Sequence, residues 1–281
     1  KTKEMFSDIP RFEGTHIIVQ SRLDIPAYVD SGYIDSDQQI TALGCPRMDD
    51  YIREHYTDPF YRNNGGHSTI VYLPIHVSGR RPFEKADVPT LSLFQSAIFQ
   101  CLLKIAVEHP NLTVIVKSKP KLGFESGSND FRSDEFRTEI TNLAKEEQID
   151  MTKLENFVIT SDLESLELLP IAKVVCGITT SALLEASVIG IRVVIPYFTE
   201  LQSGNLKEKL FFSDYYHLFE VAKNANDLFD LLTTEDINIE NQRNQLTQQR
   251  AIFEDFISST SAKATEKYAA KLTSIITNKE S

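Results

Sequence analysis

The sequence predicts an α/β fold, a doubly wound parallel sheet covered by helices, on three grounds. Short apolar runs rich in β-branched residues lie at 16–20, 69–73, 112–116, 157–160, 173–176, 193–196 and 218–221. Runs of this kind read as strands, and those apolar on both faces as strands covered on both sides. The intervening stretches 91–108, 133–148, 163–172 and 180–189 read as helices, so strand and helix alternate from Thr69 onward, the pattern of crossover connections. Finally, 281 residues with 41% hydrophobic and 25% charged composition suffice for one large core or two smaller ones.

Ahead of that block the chain reads differently. It holds one strand at 16–20, then Asp24-Ile25-Pro26-Ala27-Tyr28, then the turn-rich Gly44-Cys45-Pro46-Arg47-Met48-Asp49. Residues 1–62 are therefore read as a partial N-terminal domain with its linker. Asn63-Asn64-Gly65-Gly66 has a hinge's composition, because Gly and Asn take positive φ readily. Residues 63–240 form the sheet domain, with loops expected at 80–89 and 123–129. Residues 241–281 are read as a long, mostly polar C-terminal helix carrying Ile252, Phe253, Phe256 and Ile257, packing back toward the N-terminal side.

Charge and composition exclude several classes of function. A net charge of −11 argues against nucleic acid as partner, since a general phosphate-binding surface needs a basic excess. Cys45, Cys101 and Cys176 have no C-x-x-C spacing, which argues against a disulfide framework or a structural zinc site and fits a reducing cytoplasm. No uninterrupted apolar run reaches the length of a membrane span, and Lys1-Thr2-Lys3-Glu4 does not read as a signal peptide. The chain is thus expected in the cytoplasm or at the inner face of the membrane. It shows no metal-ligand spacing, no Walker run and no Ser-His-Asp arrangement, so no metal and no cofactor are expected.

In a doubly wound sheet, ligands sit beyond the carboxyl ends of the strands, and two segments there carry suitable chemistry. Lys117-Ser118-Lys119-Pro120 follows the strand at 112–116; its two ammonium groups and hydroxyl suit a phosphate or diphosphate, or else form a solvated loop. Cys176-Gly177-Ile178-Thr179-Thr180-Ser181 leads from a strand into a helix start, where hydroxyls and unpaired N–H groups suit an anion. Thr180 or Ser181 also serves as an ordinary N-cap, and capping leaves other donors available. Glu185 lies one turn further along, where a carboxylate can accept hydrogen bonds from ribose hydroxyls. Gly190-Ile191-Arg192-Val193-Val194-Ile195-Pro196 ends that helix and begins a buried strand. Tyr72, Tyr197 and Phe198 near strand ends read as packing residues, with base stacking as the alternative.

In this order, the pieces from Lys173 to Pro196 resemble the donor domain of GT-B glycosyltransferases. The similarity is closer to the bacterial capsule and teichoic-acid branch, which includes glycerophosphotransferases, Kdo transferases and polysialyltransferases. In that branch a His-Pro pair and a Ser/Thr-Ser pair hold the nucleotide's phosphate. Here the first position reads Lys119-Pro120, so the His is replaced, while Thr179-Thr180-Ser181 matches the second. Gly44-Cys45-Pro46-Arg47-Met48-Asp49 is similar to the segment that closes the acceptor domain, and the tail to the helix that crosses back to it. The resemblance also places His76, followed by Arg80 and Arg81, among cleft residues, making His76 the one catalytic candidate, with a structural or merely exposed histidine as the alternative. His109-Pro110 precedes its strand and is not the family motif.

The resemblance implies an enzyme that transfers a sugar or alditol phosphate from a CMP-, CDP- or UDP-linked donor to a glycan or lipid-linked acceptor. Lys117, Ser118, Lys119, Thr179, Thr180 and Ser181 would hold phosphate and Glu185 the ribose. About sixty residues ahead of the hinge hold only about two βαβ units, so turnover is expected to need further protein on the N-terminal side. A UDP-N-acetylglucosamine 2-epimerase-like enzyme and a non-catalytic nucleotide-sugar-binding domain stand as alternatives.

Overall fold

A computed structural model describes residues 12–34, 40–56, 68–75, 83–118, 131–202, 205–234 and 239–277. The chain divides into two units, one of Lys1–Thr57 with Thr247–Ser281, the other of Asp58–Leu246.

The larger unit is built on a six-stranded sheet. Its strands are β3 (Thr69–Leu73), β4 (Thr113–Lys117), β5 (Phe157–Thr160), β6 (Val174–Gly177), β7 (Arg192–Pro196) and β8 (Glu220–Ala222). They lie in the order β5-β4-β3-β6-β7-β8, and every pairing is parallel. Counted from β3 this is 3-2-1-4-5-6, the classical doubly wound order. Burial explains the order. Ile70 to Leu73 on β3 and all of β6 are buried, as central strands must be, whereas edge strand β5 leaves Val158 exposed. The helices covering the sheet include α3 (Val88–Glu108), α4 (Phe131–Glu146), α6 (Ala182–Val188) and α8 (Ala225–Thr233). Pro89 opens α3, where a missing N–H costs nothing, and Asn224 caps α8 by accepting the Asp227 N–H at 2.9 Å. By length and composition α3 is apolar enough to cross a membrane, but it packs on α4 and α8 and buries Phe94, Ile98, Phe99, Leu102 and Leu103. Two shorter helices, α5 (Ser165–Leu168) and α7 (Leu206–Lys209), also belong to this unit.

The smaller unit contains β1 (Ile17–Val19), α1 (Ile25–Asp30), β2 (Ile40–Ala42) and α2 (Arg47–His55). β1 and β2 pair in parallel, and Val19, Ile34 and Ile40 form a small core against Phe12, Tyr28 and Tyr33. Two features depart from the sequence reading. β2 is a strand of three residues, too short to show a period, and the segment read as a turn runs at Arg47 into the helix α2.

The C-terminal tract is two helices, α9 (Ile239–Phe256) and α10 (Ala264–Thr277), where the sequence reading expected one. Ser258-Ser259-Thr260-Ser261 causes the break, because hydroxyls bond nearby backbone in competition with the helix ladder. The Glu254 carboxylate accepts the Thr260 N–H at 2.8 Å, Ser259 accepts the Ser261 N–H at 3.2 Å, and Ala262 takes φ 52°. The chain returns to the smaller unit within α9, where Ile252, Phe253 and Ile257 are buried.

Gly44 to Asp49 joins these C-terminal helices to the rest of the smaller unit. The Cys45 N–H donates to Ser258 Oγ at 3.1 Å and the Tyr268 hydroxyl to the Gly44 carbonyl at 3.3 Å. Asp49 is buried and accepts the N–H groups of Ala264 at 3.0 Å and Thr265 at 2.7 Å, capping α10 from a distant part of the chain. Burial pushes the Asp49 carboxyl up, but the Thr265 and Ala264 hydrogen bonds, with Arg53, outweigh it and hold the group below the usual carboxylate value.

Candidate functional site

The doubly wound order creates a crevice where β3 and β6 leave the sheet toward helices on opposite sides. Leu73 pairs with Gly177 across it, and Lys117, one residue beyond the Tyr72–Val116 pair, is level with both. The ends of β4 and β6 are therefore two strand spacings apart, about 10 Å, on one edge of the sheet. That edge brings together Lys117, Ser118 and the 177–181 turn. Gly177 is needed there: a Cβ on it would lie 3.0 Å from the Leu73 carbonyl oxygen and 3.1 Å from Leu73 Cβ.

The side chains are disposed unequally. Lys117 is buried, and its ammonium donates to the carbonyls of Ser118 at 2.5 Å and Ser161 at 3.3 Å. Ser118 is also buried, its N–H bonded to the Thr160 carbonyl at 2.9 Å and its hydroxyl 3.4 Å from the same oxygen. Together they tie the carboxyl ends of β4 and β5. Thr179, Thr180 and Ser181 are half-buried. Thr179 has φ 55°, a conformation that crowds a β-branched side chain, and its hydroxyl accepts the Phe211 N–H at 2.9 Å. Thr180 Oγ1 lies 3.4 Å from the Ala182 N–H it faces. The Ser181 hydroxyl donates to Glu185 Oε1 at 3.2 Å, an i,i+4 pair across the first turn of α6, and Glu185 is 2% exposed. Lys119, Pro120, His76, Arg80, Arg81 and the hinge Asn63-Asn64-Gly65-Gly66 lie outside the described residues.

Among the aromatic candidates, Tyr72 and Phe198 are core residues, stacked edge-on against Phe99 and Phe94. Tyr197 is half-buried and meets Tyr216 at 5.4 Å. Tyr216 is buried, its hydroxyl lies near the Thr179 backbone without a well-formed hydrogen bond, and burial pushes its pKa up. His109 ends α3 and packs on Phe229. Burial likewise raises the Cys101 thiol to about 12 and pushes the Cys176 thiol well up, so neither supplies a thiolate nucleophile near neutral pH.

One arrangement had no signal in the sequence. Lys209, at the end of α7, donates to Asp87 Oδ2 at 2.7 Å and Glu84 Oε1 at 3.3 Å, joining residues 122 and 125 positions apart. The Asp87 hydrogen bond raises the Lys209 pKa, and the same contact lowers that of Asp87. A groove between α3 and α8, lined by Cys101, Lys104, Val107, Asn226 and Phe229, is separate from the 177–181 turn.

No protein-family model and no curated protein matches the chain, but solved structures do. The wall teichoic acid polymerase TagF aligns over 94% of this chain and 59% of its own length, with a TM-score of 0.55 and 15% identity. A variant of it soaked with CDPG aligns over 94% and 58%, with a TM-score of 0.56 and 14% identity. A UDP-N-acetylglucosamine 2-epimerase aligns over 92% and 57%, at 0.49 and 10%. The polymerase likeness defines the class of fold: a GT-B-like, Rossmann-type α/β architecture. The chain spans about three fifths of the length of that polymerase.

Proposed function

We propose that this chain is the nucleotide-sugar-binding part of a GT-B-type transferase, which moves a sugar or alditol phosphate from a CMP-, CDP- or UDP-linked donor to a surface-polysaccharide acceptor. One observation carries the reading. The switch-point crevice between β3 and β6 gathers the 177–181 turn, Glu185 and the Lys117-Ser118 strand end on one edge, in a fold similar to a polymerase solved with CDPG. The donor's phosphates lie against the 179–181 hydroxyls and amides. The Lys117 charge acts on them from within the sheet edge, where the low dielectric strengthens it. The ribose hydroxyls share the Glu185 carboxylate with Ser181. Holding the leaving nucleotide's phosphate in fixed donors stabilises the charge it gains as the bond to the transferred group breaks.

Glu185→Gln tests the assignment, because it keeps the shape and the Ser181 acceptor while removing the charge. Loss of a charge-assisted hydrogen bond is expected to weaken nucleotide binding by roughly 1.5–3 kcal/mol. Titration calorimetry with CMP, CDP, UMP and UDP reads that loss and ranks the bases; equal affinity in the variant gives Glu185 a structural role only.

A further inference from the structure

We propose that Lys209 and Asp87 are positioning residues that set the separation of the two lips of the switch-point crevice, an inference that rests on the nucleotide-binding reading above. One lip is the start of α3, reached from β3, where Asp87 stands; the other is the turn after β6, where Thr179 stands. The 206–212 segment is fastened to both. Lys209 donates to Asp87 at 2.7 Å, and two residues later the Phe211 N–H donates to Thr179 Oγ1 at 2.9 Å. Two residues of chain reach at most about 7 Å, so the two anchor residues of the segment stand close together. Leu206 and Leu210 are buried and Ser213 Oγ donates to the Lys207 carbonyl at 3.0 Å, which fixes the segment between its anchors.

The anchors are themselves held. Asp87 Oδ2 also accepts the Glu84 N–H at 2.7 Å, and Lys209 has 11% of its side chain exposed. On the other lip, Thr179 occupies φ 55°, a conformation it holds while bonded to Phe211. Accepting that amide leaves the Thr179 hydroxyl one proton to donate, so the link also fixes where a phosphate is met. Neither Lys209 nor Asp87 touches the ligand in this account; they act through Phe211 and Thr179.

The signs of two substitutions separate this from a plain charge effect on an anionic ligand. Removing a cation near a diphosphate weakens binding, whereas removing an anion there strengthens it. A broken link weakens binding in both cases. Lys209→Met and Asp87→Ala, which removes the acceptor as well as the charge, are therefore each expected to raise the nucleotide Kd roughly fivefold to tenfold, and the double variant no further, because both cut one link. Lys209→Arg is expected to restore much of the affinity. CDP and UDP are titrated into each folded variant well below its melting temperature, with Phe211 amide exchange measured in parallel and expected to quicken in both single variants. Tighter binding by Asp87→Ala, or multiplied losses in the double variant, overturns the proposal. Should Lys209→Met not fold, Asp87→Ala alone carries the same sign test. Wild-type protein that binds neither nucleotide overturns the functional reading itself, an outcome distinct from wild-type binding that the variants leave unchanged, which overturns only the link.

Discussion

Phe253→Ala is expected to lower the free energy of unfolding by about 3–5 kcal/mol, the range for emptying a closely packed aromatic site. Phe253 is fully buried, in the part of α9 that belongs to the smaller unit, with Ile252 and Ile257 buried beside it in sequence. The Ile257 N–H donates to the Phe253 carbonyl at 2.8 Å and the Ser258 N–H to the same oxygen at 3.2 Å, so the residue sits where the helix stops. Urea unfolding compares the variant with wild type. A change below about 1 kcal/mol would mean that the site closes without a cavity, contrary to a packed core there.

Gly44→Ala is the second large effect. Gly44 has φ 88°, and a Cβ on it would lie 2.6 Å from Ser258 Oγ and 3.3 Å from Ala264 Cβ. Left-handed backbone costs alanine about 1 kcal/mol or more over glycine. Ser258 is buried and its oxygen accepts the Cys45 N–H, so moving it aside leaves that donor unpaired, which costs about 1–3 kcal/mol more. The expected destabilisation is therefore about 2–4 kcal/mol, read by the same denaturant titration. In a Ser258→Gly background the obstruction is gone, and Gly44→Ala is expected to cost less. Equal cost in both backgrounds would show that the contact with Ser258 is not the source.

Much of the fold was legible because burial wrote it into the chain. β3, β4, β6 and β7 are covered on both faces, so each reads as an uninterrupted apolar run within a residue or so of its true bounds. β2 gave no such signal, since Ile40-Thr41-Ala42 is too short to show a period. The break between α9 and α10 lies in a run of hydroxyl residues that sequence alone left inside a helix. The motif from Gly44 to Asp49 was legible as a resemblance; that its aspartate caps α10 follows from a contact 215 residues away, which no local pattern encodes.

At the site, the residue types were visible but not the directions of their side chains. Lys117 read as a cation for a ligand, whereas its ammonium is turned onto the Ser118 and Ser161 carbonyls. The Ser181–Glu185 pair was foreseeable in part, because four residues in a helix place two side chains on one face. The Lys209–Asp87 contact was not, since its members stand 122 positions apart, beyond the reach of any local pattern.

The most direct test of the central claim is where a nucleotide binds. In crystals of the chain soaked with CDP or UDP, the diphosphate is expected at the carboxyl ends of β3 and β6, within hydrogen-bond distance of the 179–181 turn and with its ribose toward Glu185. A nucleotide held instead in the groove of Cys101, Lys104 and Phe229, or found nowhere near that turn at saturating concentration, would contradict the account.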